Sequence, residues 1–232
     1  MSFQRILFRF SKEGEARFLS HHDLIRLFER ALRRAELPMR MTQGFNPHPR
    51  FAILSALPLG VEAADEPVEV EFDPPVPLAL ASEKLGAQFP QGIRLAAAQE
   101  LAEGVRARVD SVAYEAQLPP GMPIDPASVD RILASQSVVI DRTTPSGHRP
   151  MDIRPAIREM AVAPGRLAFV LRVAPQGTPK PSEILAAVLG LPASGLASVR
   201  VRRTRVELAF SSPRAGGPSA PRGDAEDTVN AT

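Results

Sequence analysis

Two hydrophobic periodicities alternate along this chain, and they do so in the same order twice. Phe3 to Phe10 alternates, with Ile6, Phe8 and Phe10 on one face and Arg5 and Arg9 on the other, as in a half-buried strand. A helix over about His21 to Glu36 follows, with Leu24, Leu27, Phe28, Ala31, Leu32 and Ala35 recurring at the spacing of a buried stripe. Arg50 to Ala56 reads as a second strand, and Val68, Val70 and Phe72 alternate with Glu69 and Glu71 in a third. Leu78 to Phe89 is helical in composition behind Pro77, where proline is tolerated. Gly92 to Ala97 reads as a fourth strand.

The same order returns more faintly. Val112 to Leu118 alternates as a strand, and Pro126 to Ala134 follows Asp125 as a capped helix. Val138 to Arg142 and Arg166 to Val173 read as strands around a long insertion. Ser182 to Leu189 is an apolar helix behind two prolines, and Ser198 to Phe210 is a strongly alternating final strand. The expected fold is therefore α+β: two tandem ferredoxin-like (βαββαβ) units with antiparallel sheets, residues 1–104 and 105–210. A single α+β domain is the alternative. Residues 211–232 hold almost no large apolar side chain and cannot offset the entropy of ordering, so a disordered C-terminal tail is expected.

The chain has no cysteine among its 232 residues, so no disulfide framework is possible and packing alone must hold it. No run of apolar residues is long enough to span a bilayer, and the N-terminus lacks the pattern of a signal peptide. A soluble cytoplasmic protein is the expectation, with no membrane partner. The net charge of +2 argues for no partner by itself, but its distribution does. Residues 1–50 carry ten Lys and Arg against five Asp and Glu, whereas residues 51–100 carry two against eight. Residues 151–210 carry nine against four and end in Arg200-Val201-Arg202-Arg203-Thr204-Arg205. The basic excess thus falls in two blocks.

The first block also holds the densest functional signal. Ser20 with Asp23 has the spacing of a capping box, and His21 and His22 lie in the first turn behind it. Arg26, Arg30, Arg33 and Arg34 occupy the polar arc of the helix, and Pro38 ends the run. The segment Gln43-Gly44-Phe45-Asn46-Pro47-His48-Pro49-Arg50 pins His48 between two prolines and offers a stacking ring at Phe45, amides at Gln43 and Asn46, and a charge at Arg50. A stiff polar loop of this kind holds side chains at low entropic cost. His21 reads equally well as a structural residue at a helix start. Glu29 and Arg33, one turn apart, admit a bland reading as a surface ion pair; the functional reading is a phosphate-contacting stripe. His21, His22 and His48 lack the close spacing of a metal-ligand motif, so no metal is expected. No Gly-x-Ser-x-Gly segment supports serine hydrolase chemistry.

Several motifs stand together in the first half: Arg17-Phe18-Leu19-Ser20-His21 with Asp23-Leu24, then Leu27-Phe28-Glu29-Arg30-Ala31-Leu32-Arg33-Arg34-Ala35, then Gln43-Gly44-Phe45-Asn46-Pro47-His48-Pro49 and Leu57-Pro58-Leu59-Gly60-Val61. Asp152-Ile153-Arg154-Pro155 and Pro181-Ser182-Glu183-Ile184-Leu185 follow in the second half. Together they resemble a domain family of unknown function found fused to, or encoded beside, radical SAM proteins. His22 departs from the family pattern, where an apolar residue is expected. The resemblance implies an association with a radical SAM enzyme, often one with a cobalamin-binding region, among neighbours that include RNA-processing and ribosomal proteins. A chain without cysteine cannot hold the three-cysteine iron–sulfur cluster, so radical chemistry would belong to the partner and no cofactor is expected here.

The expected role is a non-catalytic accessory module that helps present an RNA or ribonucleoprotein substrate. Its contacts would come from Ser20, His21, Asp23, Arg26, Arg30, Arg33, Gln43, Phe45, Asn46, His48 and Arg50, joined by Arg154 and Arg202. Arg154 reads equally well as one half of an internal salt bridge. The alternative is a metal-independent RNA-processing enzyme with His21 or His48 as general acid or base.

Overall fold

The computed structural model describes residues 3–144, 147–174 and 177–211. The tail expected at 211–232 therefore lies, apart from Ser211, outside the described residues. The first half runs β1 (Gln4–Lys12), α1 (His21–Arg34), β2 (Phe51–Ile53), β3 (Glu62–Phe72), α2 (Leu78–Gly86) and β4 (Ile93–Leu101). The second runs β5 (Arg106–Gln117), α3 (Pro126–Ala134), β6 (Val139–Thr144), β7 (Gly147–Asp152), β8 (Ile157–Ala163), β9 (Arg166–Arg172), α4 (Pro181–Leu189) and β10 (Arg200–Ser211). The fold is mixed α+β with a mostly antiparallel sheet.

Local chemistry sets the first helix. Ser20 Oγ accepts from the Asp23 backbone N–H at 3.2 Å, and Asp23 Oδ2 accepts in return from the Ser20 N–H, so two orphan donors of the first turn are satisfied. The helix stops at Arg34, before Pro38, and Glu36 takes a positive φ of 50° as the chain reverses. Its apolar stripe, Leu24, Leu27, Phe28, Ala31 and Leu32, is buried. Phe28 packs against Phe10 of β1 and Phe89, each at a 4.8 Å ring separation.

In the first half the strands lie in the order β4-β1-β3-β2, and every neighbouring pair is antiparallel. The second half repeats this as β10-β5-β9-β8, again antiparallel throughout. Each half has its own core, one centred on Phe8, Phe10, Phe28 and Phe72, the other on Tyr114, Leu167, Phe169 and Leu185. The two sheets are not separate. β10 pairs in parallel with β3 at Arg202 with Glu62 and Arg203 with Ala63, which joins them into one eight-stranded sheet.

The second half also departs from expectation in its middle. The segment read as a sheet strand at Val138 to Arg142 is β6, which pairs only with β7 in a two-stranded hairpin. The place beside β9 is taken by β8, inside what reads in sequence as an insertion. Alternation alone cannot tell a surface ribbon from a sheet strand, since both present every second residue to one side. The Pro164-Gly165 turn, with Gly165 at φ 68° and Ala163 paired with Arg166, is the local signal that marks the β8–β9 hairpin.

Candidate functional site

The segment after α1 folds back onto the exposed face of that helix. Thr42 and His48 close the loop, the Thr42 N–H donating to the His48 carbonyl at 2.8 Å and the His48 N–H to Thr42 Oγ1 at 2.9 Å. Arg50 N–H donates to the Arg40 carbonyl, and Met41 bridges Pro49, so both ends of the loop are tied. Gly44 adopts φ 136°, a conformation closed to most side chains.

The loop is then fastened to α1 by side chains. Arg33 donates to Glu29 Oε1 at 3.1 Å and to the Pro47 carbonyl at 3.2 Å. His48 Nδ1 lies 2.6 Å from the same Glu29 oxygen. A carboxylate can only accept, so Nδ1 carries the proton and donates, leaving Nε2 with no partner among the described residues. The His48 hydrogen bond, with that of Arg33, holds the Glu29 carboxyl below the usual glutamate range. The His48 ring remains 59% exposed.

Phe45 stands at the loop tip fully in solvent, at 106% of its reference exposure. Gln43, Asn46 and Arg50 around it are exposed, as are Arg26 and Arg30 on the helix. Arg26, Arg30 and Arg50 have no side-chain hydrogen bond or ion pair among the described residues. Helix α1 and its loop thus expose a ring, an imidazole oriented by a carboxylate and the guanidinium groups of Arg26, Arg30 and Arg50. Such a set can stack a base and engage phosphate oxygens.

The remaining candidates fall elsewhere. Ser20 and Asp23 are occupied with each other in the cap, and the Ser20 hydroxyl bond holds the Asp23 carboxyl low. His21 is half-buried, and its Nδ1 is enclosed with no hydrogen-bond partner among the described residues. The Arg154 guanidinium donates to the Leu133 and Ile157 carbonyls, closing the end of α3, and its backbone N–H donates to Asp152 Oδ1 at 3.0 Å. Arg202 pairs with Glu13, and its strand meets β3 at Glu62 and Ala63, beyond the Val68–Val70 stretch that the loop's strand β2 covers. Among the described residues no group of three or more His, Asp or Glu is placed to hold a metal ion. No helix among them is long and apolar enough to cross a membrane.

The second basic block is not a uniform surface. Arg203, in its middle, is 3% exposed and forms the centre of a buried network. It donates to both oxygens of Glu66 at 3.1 and 2.9 Å, to Tyr114 Oη through Nε and Nη2, to Ser55 Oγ and to the Ala56 carbonyl. Lys12, also buried, donates to the Arg17 and Leu19 carbonyls. Burial pushes the Glu66 carboxyl up to about 7 despite Arg203, and burial lowers Lys12. The parity of the strands carries the signal for two members: Lys12 continues the inward row Ile6, Phe8, Phe10, and Glu66 precedes Val68, Val70, Phe72 on the same face. Arg203 had no such signal, because a register shift between Arg203 and Arg205 turns it inward.

These features define a class: an α+β protein of two similar halves on one sheet, with a polar cluster at the surface of the first half and an ionic one at the junction. The chain belongs to the family described as "Uncharacterized protein conserved in bacteria (DUF2344)", whose model matches residues 5–181. That description makes no mention of radical SAM enzymes. No curated protein matches the sequence. Among solved structures, a "Cbf5-Nop10-Gar1 Complex" chain is similar at 8% identity and a TM-score of 0.44, covering 87% of this chain and 48% of that one. The chain therefore spans about half the length of that structure. An unknown protein from Galdieria sulphuraria is similar at 12% identity and a TM-score of 0.22, covering 90% and 99%. Both scores are too low to carry an argument.

Proposed function

We propose that this chain is a non-catalytic accessory module of a radical SAM enzyme, acting in the cytoplasm, and that the face built from α1 and loop 43–50 holds a single strand of RNA for that partner. In this reading the halves 1–104 and 105–210 are tandem ferredoxin-like units, a reading supported by the recurring antiparallel order in which the last strand lies beside the first. The motifs of α1 and the loop support the partner, and the lack of cysteine leaves the radical chemistry outside this chain. The observation that carries the RNA contact is Phe45, an aromatic ring fully exposed on a loop that is tied at both ends and fastened to α1 by Arg33, with Arg30 exposed on the same helix and Arg50 at the loop's end. Burying such a ring against a base recovers apolar area, while the guanidinium groups neutralise backbone phosphates.

Two experiments test it. Co-purification with a radical SAM protein encoded beside the gene is expected in the presence of RNA, and no association in any substrate state contradicts the partnership. Titration with a labelled unstructured RNA is expected to show salt-sensitive binding lost in Arg30→Ala plus Arg33→Ala; unchanged binding contradicts the contact.

A second reading is favoured by one observation, the Glu29–His48 pair. A carboxylate that orients Nδ1–H leaves Nε2 as a base able to take the proton of a ribose 2′-OH, and nearby Arg33 could steady the charge that develops. RNA cleavage by the pure protein that disappears in His48→Ala would support an RNA-processing enzyme; intact RNA removes that reading.

A further inference from the structure

A cleft of about 340 Å³ opens beside the buried junction, between the residues that follow β2, the middle of β5 and the segment leading into α4. Its walls are apolar, from residues such as Leu54, Val112 and Val173, with polar groups from Ser55, Tyr114, Thr178, Lys180 and Arg203. The volume is at the lower end of the range for small-molecule sites, roughly 300–1,000 Å³.

Arg203 decides what those hydroxyls can do. Its Nη1 donates to Ser55 Oγ at 3.0 Å, and its Nε and Nη2 donate to Tyr114 Oη at 3.1 and 2.8 Å. A guanidinium has donors only, so each oxygen must face it with lone pairs and turn its own O–H away. Neither proton meets an acceptor among the described residues. Tyr114 is 4% exposed, and an unused donor so enclosed is costly unless something accepts from it. Arg203 is paired with Glu66, and Lys180 is the other basic residue of the lining.

We propose that this cleft binds a small monocarboxylate with an apolar body. Its carboxylate accepts from Ser55 and Tyr114, Lys180 faces the charge, and the body lies along Val112 and Val173. Arg203, at the wall of the cleft, is a positioning residue that orients both hydroxyls. This site is separate from the α1 face, and neither depends on the other.

Hexanoate and benzoate serve as probes of the full chain, with hexylammonium as a control that has the same body and no acceptor. In calorimetry and amide NMR the acids are expected to bind saturably, with shifts concentrated at residues 54–56 and 178–181, and hexylammonium is expected not to bind. Ser55→Ala, on a half-exposed segment, and Tyr114→Phe, which keeps the ring, are each expected to weaken the acids about tenfold or more. No binding, shifts confined to another region of the wild-type chain, equal binding of hexylammonium, or unchanged affinity in Ser55→Ala overturns the proposal.

Discussion

Glu29 and Arg33 at the surface, and Glu66 and Arg203 at the junction, pair the same two kinds of group in opposite surroundings, the first beside the His48 imidazole and the second beside the Tyr114 phenol. At the surface the Glu29 carboxylate is shared between Arg33 and His48, whereas at the junction the Arg203 guanidinium is shared between Glu66 and Tyr114, all at hydrogen-bond distance. Outside, water screens the charges, so the pairing orients a ring at little energetic consequence and leaves Nε2 available. Inside, each donor of Arg203 is spent on groups from β3, β5 and the segment after β2, and the pairing ties the two halves together. The exposed cluster leaves an imidazole nitrogen open to solvent; the enclosed one holds the junction in one arrangement.

The contrast can be broken from the inside first. Arg203→Met leaves the Glu66 carboxylate buried without its partner and is expected to cost about 3–5 kcal/mol of stability in urea denaturation. A cost under 1 kcal/mol would mean that the junction tolerates the charge. Glu66→Gln, which removes the charge and keeps the shape, is expected to cost less than Arg203→Met.

Acid titration sharpens the same point. Burial raises Glu66 from 4.5 to about 7, so the folded state binds its proton more tightly than the unfolded state does. The stabilising contribution of this group is full below pH 4.5 and is lost as the pH rises through about 7. Wild-type stability is therefore expected to carry a falling component over that window, seen in denaturation midpoints, and Glu66→Gln is expected to remove it. A wild-type and a variant that share one pH profile would contradict a raised Glu66.

At the surface the expected effect is smallest. Glu29→Gln removes the partner of Arg33 and His48, yet these side chains are partly in solvent, and the cost is expected to stay below about 1 kcal/mol. A loss comparable to that of Arg203→Met would erase the difference between the two clusters.

The same contrast explains what could be read in the sequence. The α1 cap, its buried stripe and the proline-pinned loop rest on contacts between residues close in the chain, and each is legible from spacing. The junction depends on partners more than a hundred residues apart, Arg203 with Glu66 and Ser55, and on a register shift that reverses which residues face inward. Only the strand parity of Lys12 and Glu66 pointed there. The exchange of β8 for β6 has the same root, since both segments alternate and only long-range pairing distinguishes them.

The claim that most needs a direct test is that the α1 face and loop 43–50 receive a single strand. Fluorescence anisotropy of a labelled unstructured RNA against the full chain, at several salt concentrations, is expected to show affinity falling steeply with salt and a further loss of about 1–3 kcal/mol in Phe45→Ala, with the denaturation midpoint unchanged. Binding that is indifferent to salt and equal in wild type and Phe45→Ala would contradict it.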